Sequence, residues 1–177
     1  MLVNEAIRTR VTVREFKPDP VPPDVVERIL EAARLAPSSR NRQPWHFVVI
    51  TDRSVLQQIG SIATSGRFVA DAPLAIAVVM EDADRPDLDA GRALQQMELA
   101  AWAEGLGTCF VGLRDEQQNM RVKALLSIPR QMQLITVLPF GYRKDGGRGM
   151  KGRKNRKSLA DIAHRERFGT AYGPGAG

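Results

Sequence analysis

Three short stretches of basic and polar residues carry the side chains with which this chain of 177 residues could do chemistry. The first stretch holds Arg8, Arg10, Thr12 and Arg14, and the last three alternate with Val11 and Val13, so an extended backbone would point those three to one side. Guanidinium groups bind phosphate oxygens through paired hydrogen bonds, and a threonine hydroxyl adds a donor. The stretch is therefore a candidate anion site, and a solvated positive edge is the alternative that the same spacing allows.

The second stretch is a polar loop, residues 37–43, between an amphipathic helical pattern and an apolar run. It carries the hydroxyl and amide groups of Ser38, Ser39 and Asn41 where a plain connector would carry glycine and aspartate. Such groups at the mouth of a sheet can hydrogen-bond the polar edge of a flat heteroaromatic ligand. Capping of the preceding helix is the alternative explanation for the same side chains.

The third stretch contains Lys154 and Arg156, whose spacing points both side chains the same way in an extended segment. They lie in a basic segment, residues 143–157, that holds eight basic residues, one acidic residue and four glycines. Because the net charge of the whole chain is +6, the remainder is close to neutral. We expect this segment to be a mobile, mostly solvent-facing loop that becomes ordered when phosphate binds at Lys154 and Arg156.

Composition indicates one globular domain, residues 1–170, with a disordered tail at 171–177. No apolar run approaches the ~20 residues of a membrane span, and the N-terminal residues do not resemble a signal peptide. The single cysteine, Cys109, excludes an internal disulfide framework and fits a reducing cytoplasm. His46 and His164 lie far apart, so no metal site is predicted. The acidic cluster between 81 and 89 is expected to be a solvated loop.

Hydrophobic periodicity predicts an α+β fold that could form a three-layer sandwich. Strand 46–51 is apolar almost throughout, so we expect it to lie centrally in the sheet. Helix 87–104 is apolar on more than one face, which is typical of a central or interfacial helix. In the first helix, Leu2, Val3, Ala6 and Ile7 are expected to face inward. The predicted helices are 2–9, 24–36, 53–60, 67–71, 87–104, 116–126 and 158–167, and the strands are 46–51, 74–80, 108–113 and 133–140.

The order of four motifs from about residue 4 to residue 168 resembles the nitroreductase family of flavoproteins. The motifs are Arg-x-Thr-x-Arg-x-Phe (10–16), Ala-Pro-Ser-Ser-x-Asn-x-Gln-Pro-Trp-x-Phe (36–47), Gly-Leu-Gly-Thr-Cys (105–109) and Lys-x-Arg (154–156). This resemblance implies an α/β/α sandwich with a mostly antiparallel central sheet. It also implies an intertwined homodimer with two FMN molecules at the interface.

The resemblance assigns cofactor-binding positions residue by residue. The segment from 10 to 14 and the late basic pair would hold the phosphate and ribityl chain. The polar loop would approach the isoalloxazine ring from the partner subunit, and backbone groups of a strand end would lie near N5. No side chain needs to act as acid or base, so no catalytic residue is assigned. The positions are Arg10, Val11, Thr12, Arg14, Pro37, Ser38, Ser39, Asn41, Val111, Gly112, Leu113, Lys154 and Arg156.

The implied activity is hydride transfer from NADH or NADPH, through the flavin, to a small acceptor that is nitroaromatic or quinone-like. Nucleic-acid and membrane partners are not expected. The sequence departs from the family pattern at Val11, where a second basic residue is common, at Thr12, where serine is common, and at Arg143, where proline is frequent. Two alternatives stay open: a specialised member that carries out dehalogenation, flavin fragmentation or enone reduction, and a non-enzymatic basic module that binds anions or nucleic acid. The second lacks stacking aromatic residues beside the basic segment.

Overall fold

A four-stranded antiparallel sheet of order β1-β2-β4-β3 forms the middle layer of the computed structural model. The structure describes residues 1–113, 115–144 and 154–172. The strands are β1 (Trp45–Ile50), β2 (Leu74–Met80), β3 (Leu106–Thr108) and β4 (Gln133–Tyr142). The helices are α1 (Val3–Thr9), α2 (Pro23–Arg34), α3 (Arg53–Ile62), α4 (Pro86–Ala103), α5 (Glu116–Leu125) and α6 (Leu159–Ile162).

Strand β2 explains why helices cover both faces of the sheet. All seven of its residues are buried, and successive side chains of a strand point to opposite faces. Ile76 and Val78 pack with α2 and α4 in one hydrophobic cluster, whereas Ala77 and Val79 pack with α3 and α5 in another. This arrangement confirms the predicted α+β sandwich with an antiparallel central sheet.

The prediction that the first strand lies centrally is wrong. In the described part of the chain, β1 pairs with β2 alone and forms an edge of the sheet. Only Trp45 and Ile50 are buried at its ends, whereas Val49 is 41% exposed. An apolar run predicts that a segment forms a strand, but it does not predict where the strand lies in the sheet. The sequence pattern therefore does not distinguish an edge strand from a central one.

Two predicted elements are shorter or shifted in the structure. The strand expected at 108–113 is β3, which ends at Thr108; Val111 then forms an isolated bridge to Val137 of β4. The final helix, expected at 158–167, is the single turn α6, and the chain beyond it folds back through a bridge between His164 and Ala171.

The first helix presents an apolar surface to the outside of the protomer. Ala6 is buried, as expected, but Leu2, Val3 and Ile7 are 78%, 70% and 54% exposed. The prediction that these three residues face the protomer core is therefore wrong. Their exposure leaves an apolar surface on α1 that another molecule could cover.

Parts of two sequence predictions lie outside the described residues. They are the middle of the basic segment, residues 145–153, and positions 173–177 of the predicted tail. Among the helices that the structure describes, none is long and apolar enough to cross a membrane.

Candidate functional site

The first basic stretch lies extended along β3. The backbone N–H of Val13 donates to the Thr108 carbonyl at 2.9 Å. Val13 packs so closely on Gly107 that a Cβ built on this glycine would lie 2.5 Å from the Val13 Cβ. Because Val13 faces β3, the alternation of an extended chain turns Thr12 and Arg14 away from the sheet, and both are exposed.

Four cations form what we call the basic cluster: Arg10, Arg14, Lys154 and Arg156. Arg10, Lys154 and Arg156 line one open cleft of about 860 Å³, together with residues of α1 and α4. The Lys154 ammonium donates to the Ile7 carbonyl at 2.8 Å and thereby joins the late basic pair to the end of α1. The structure therefore brings together basic residues that are about 145 positions apart in the chain.

Arg14 extends the basic cluster toward β3 and the turn after α3. Its guanidinium carbon lies 5.9 Å from the centre of the Phe68 ring. Burial raises the pKa of the Cys109 thiol, and the charge of Arg14 partly offsets this effect. A thiol of this kind behaves as a small buried side chain rather than as a nucleophile.

One mostly buried carboxylate, Glu98 of α4, faces the basic cluster and pairs with Arg10 at 3.5 Å. Burial raises the pKa of Glu98, and the charge of Arg10 lowers it by less. Burial also lowers the pKa of Lys154, and the neighbouring charges of Arg10 and Arg156 lower it further. Among the described residues, these crowded cations outnumber the one charge of Glu98 that pairs with them, which creates a positive potential and favours an anionic ligand.

The polar loop is fixed by contacts within itself and by one buried carboxylate. The Ser38 hydroxyl accepts from the Gln43 N–H at 2.9 Å, and the Ser39 N–H donates to the two oxygens of Asp89 at 3.0 and 3.1 Å. The α2 helix ends instead through backbone bonds of Leu35. The polar side chains are therefore not caps of α2, which removes the alternative explanation for them.

The prediction that Asp89 lies in a solvated acidic loop is wrong. Its side chain is 1% exposed in the first turns of α4. The signal that locates it is helical spacing: Asp89 lies four and eight residues before Ala93 and Met97, both of which are buried on the same helix face. A carboxylate on an apolar stripe indicates a specific buried partner.

The third candidate segment, Val111 to Leu113, is held between β4 and the turn after α3. The Thr136 hydroxyl donates to the Val111 carbonyl at 2.8 Å and accepts from the Val111 N–H at 3.2 Å. The Ser65 hydroxyl donates to the Gly112 carbonyl at 3.1 Å. Because the backbone groups of Val111 are paired with Thr136 and the Gly112 carbonyl is paired with Ser65, the Gly112 N–H and the backbone of Leu113 are the better candidates for contact with a ligand.

Arg143 does not lie in a solvent-facing loop, as the basic segment suggested. It is 6% exposed, and its guanidinium carbon lies 3.7 Å from the centre of the Trp102 ring. A bridge between Phe16 and Arg143 extends the pairing beyond the end of β4 and carries the side chain inward. The Trp102 indole N–H donates to the Thr9 hydroxyl at 2.9 Å, immediately before Arg10 in the chain. Sequence reasoning missed this buried pair.

Three cations of the basic cluster line one cleft, and Pro37 of the polar loop lines a second cleft on the same face of α4. Gln95 lines both clefts, and the second, of about 480 Å³, also includes Pro37, Leu88 and Gly91. Leu88 and Gln95 lie about two helical turns apart. In the described part of the chain, the basic cluster and the polar loop are therefore adjacent to each other, but they do not line one common pocket. Among the same residues, no group of three His, Cys, Asp or Glu side chains could hold a metal ion.

The chain is similar to known proteins along most of its length. A model of the Nitroreductase family matches residues 7–85 and 64–142. A relative from Methanothermobacter thermautotrophicus, provisionally named an NADH dehydrogenase/NAD(P)H nitroreductase, is 34% identical over 80% of this chain and 78% of its own. The chain belongs to the nitroreductase family, a family of oxidoreductases that generally bind flavin and are typically dimeric.

Two further relatives indicate the range of chemistry around this fold. The structure of an FMN-dependent nitroreductase from Clostridium difficile superposes with a TM-score of 0.80 and 27% identity, covering 90% of this chain and 96% of the other. A 5,6-dimethylbenzimidazole synthase from Rhodospirillum rubrum is 27% identical over 77% of this chain and 79% of its own. The fold and family are thus established, whereas the named activities differ among relatives.

Proposed function

We propose that this protein is an FMN-dependent oxidoreductase that uses NADH or NADPH to reduce a small nitroaromatic or quinone-like acceptor. The observation that supports the proposal best is the basic cluster: three of its four cations line one cleft, and among the described residues Glu98 is the carboxylate that pairs with it, through Arg10. This donor set suits a dianionic phosphate ester, which guanidinium groups bind through paired hydrogen bonds. When bound, FMN supplies the hydride-transfer chemistry, and the protein supplies position and electrostatics.

In this proposal the segment along β3 and the late basic pair hold the phosphate end of the cofactor. Arg10, Arg14, Lys154 and Arg156 contact the phosphate oxygens. Thr12, which points away from β3, donates to the phosphate or to the ribityl chain, and Val11 contributes through its backbone. Two observations support these roles: Val13 anchors the segment on β3, and the Lys154 ammonium is tied to α1.

The ring end of the cofactor is assigned to the polar loop and to the strand end at 111–113. Ser38, Ser39 and Asn41 orient the ring, Pro37 packs beside it, and the backbone of 111–113 lies along its other side. We propose that the loop acts on the cleft of a second protomer in a homodimer. The support is that one protomer keeps the two clefts apart and exposes the apolar residues of α1 beside one of them.

Protein purified from flavin-replete cells should be yellow and should release about one FMN for each protomer on denaturation. Under anaerobic conditions, NADH or NADPH should bleach the bound flavin, and a nitroaromatic or quinone acceptor should restore the colour. A panel that includes halogenated aromatics, enones and excess reduced flavin would distinguish the specialised alternatives. Colourless protein that fails to bind added FMN would contradict the proposal. We also place the enzyme in the cytoplasm, because a chain with a single cysteine has no internal disulfide and fits a reducing compartment.

Glu98→Gln should bind FMN about three- to tenfold more tightly than wild type at pH 8, a gain of about 1 kcal/mol. The reason is that the ionised carboxylate competes with phosphate for Arg10.

Burial raises the pKa of Glu98 in the folded state, so ionisation of this group costs stability as pH rises through that pKa. The variant should therefore gain unfolding free energy relative to wild type between pH 4 and pH 8. Urea unfolding and FMN titration measure the two effects.

Glu104→Gln is the matched control for Glu98. Glu104 lies at the C-terminal end of the same helix and pairs with Arg28 at 2.9 Å on the surface, away from the basic cluster. Exposed ion pairs contribute little, about 0–1 kcal/mol, so this variant should keep wild-type FMN affinity. Equal FMN affinities for Glu98→Gln and Glu104→Gln would refute competition between Glu98 and phosphate.

A further inference from the structure

We propose that Asp89 is a positioning residue for the flavin ring: it holds the polar loop in its binding conformation without touching the cofactor. This inference rests on the proposed function. Asp89 is 1% exposed, and both of its oxygens accept from the Ser39 N–H, at 3.0 and 3.1 Å. Arg92, one turn later on α4, donates to the same carboxylate at 3.1 Å. The buried carboxylate of Asp89 is thus paired with the charge of Arg92 and is also hydrogen-bonded to the backbone of the polar loop at Ser39.

The loop needs such an anchor because its backbone conformation is unfavourable. Arg40, Asn41 and Gln43 adopt φ angles of +52°, +56° and +52°, in the left-handed region that residues with a Cβ rarely occupy. Contacts elsewhere must stabilise three such residues in one short segment. The bonds of Ser38 and Asn41 to Gln43 lie within the loop and can move with it. The bond of Ser39 to Asp89 joins the loop to the rigid helix α4.

The other ties to neighbouring segments are weaker candidates for this role. Arg40 and Arg42 approach Asp84 at 3.6 and 3.9 Å, beyond hydrogen-bond distance, and these side chains are about half exposed or more. Exposed pairs of this type restrain a backbone little. A hydrogen bond to a buried carboxylate is stronger, because burial removes competition from water.

The same contact determines which groups of the loop can address a ligand. Since the Ser39 N–H is bonded to Asp89, Ser39 can reach the ring through its hydroxyl but not through its backbone donor. The charge of Asp89 is paired with Arg92 behind the loop. Asp89 therefore acts through the loop, and its removal should affect binding of the ring rather than of the phosphate.

Limited trypsin digestion of the apoprotein tests the anchor without any cofactor. Arg40 and Arg42 provide two cleavage sites within the loop. Asp89→Ala should be cut at these sites about tenfold faster than wild type, the factor that corresponds to one lost hydrogen bond to a charged group. Asp84→Ala, which removes the exposed carboxylate facing the same arginines, should be cut at close to the wild-type rate. Unchanged cleavage of folded Asp89→Ala would overturn the proposal.

A comparison of riboflavin with FMN separates ring binding from phosphate binding. Asp89→Ala should weaken the binding of both ligands by the same factor, about tenfold, because both contain the ring. Arg14→Ala should weaken FMN binding and leave riboflavin binding unchanged. Asp89→Asn, which keeps one acceptor oxygen, should restore part of the affinity. A loss confined to FMN in Asp89→Ala would assign Asp89 to the phosphate and contradict its positioning role.

Ser39→Pro provides a second variant that leaves the buried carboxylate in place. Proline removes the N–H donor, and Ser38 before it has φ −128° and ψ 158°, which suits a residue that precedes proline. Ser39→Ala keeps the donor and removes only the hydroxyl. Faster cleavage in Ser39→Pro than in Ser39→Ala is expected, and equal cleavage would refute the anchor. If wild-type protein binds neither flavin, the proposed function fails, while the digestion results still decide whether Asp89 holds the loop.

Discussion

Replacing Arg14 and Arg156 together by alanine is expected to weaken FMN binding by about two to three orders of magnitude. A hydrogen bond to a charged group contributes about 1.5–3 kcal/mol, so the loss of two costs about 3–6 kcal/mol, and the lower part of that range gives this factor at 1.4 kcal/mol for each tenfold change in affinity. Both side chains are exposed, so the fold should keep its stability to within about 0.5 kcal/mol. Titration of apoprotein with FMN, followed by flavin fluorescence, measures the effect.

The matched control for this variant is Arg34→Ala with Arg130→Ala. It removes the same net charge from exposed positions outside the basic cleft. Its FMN affinity should stay close to that of wild type, which separates direct contact from the general effect of charge. Riboflavin, which lacks the phosphate, should bind the Arg14 and Arg156 double variant as wild type does. An unchanged FMN affinity in that variant would rule out the phosphate assignment.

Gly107→Ala is expected to destabilise the protein by about 1–3 kcal/mol, the range for overpacking a filled site, and to abolish tight FMN binding. The added Cβ would lie 2.5–2.7 Å from the Cβ and both Cγ atoms of Val13. Since all three atoms belong to the segment that carries Thr12 and Arg14, relief of this clash moves that segment off β3. Urea unfolding and FMN titration report the two consequences.

A compensating substitution makes the steric origin of this effect testable. Val13→Gly removes the three side-chain atoms that the new methyl group would meet. The double variant with Gly107→Ala and Val13→Gly should therefore regain stability and FMN affinity relative to Gly107→Ala alone. If the second substitution only adds to the loss, the clash is not the cause.

Much of the fold could be predicted because its largest elements carry unambiguous patterns. β2 is a short run of buried apolar residues, and α4 repeats apolar residues at helical spacing, so type and bounds agree with the structure to within a few residues. The position of β1 at the sheet edge was not predictable in this way. The order of strands in a sheet depends on the paths of the segments that connect them. The hydrophobicity of one strand does not predict that order.

The candidate site shows a similar division between residue type and residue environment. The motif around Ser38 predicts a polar loop, but neither its left-handed backbone angles nor its bond to a buried carboxylate follows from residue types. For Asp89 and Arg143 the sequence predicts exposure to solvent, because charged residues are mostly exposed. Each is buried against a partner distant in sequence, Ser39 and Trp102 respectively. Only the three-dimensional arrangement reveals such partners.

The stacking of Arg143 on Trp102 gives the protein an optical reporter beside its basic cluster. The chain has two tryptophans, and Trp102 is the one bonded to Thr9, directly before Arg10. In Trp45→Phe, fluorescence emission would come from this indole alone, with a cation over its face and a hydrogen bond on its nitrogen. A shift of the phosphate-binding segment would alter both contacts. Intrinsic fluorescence would thus report ligand binding at the basic cluster, next to the C-terminal end of α1, without a label and before any turnover.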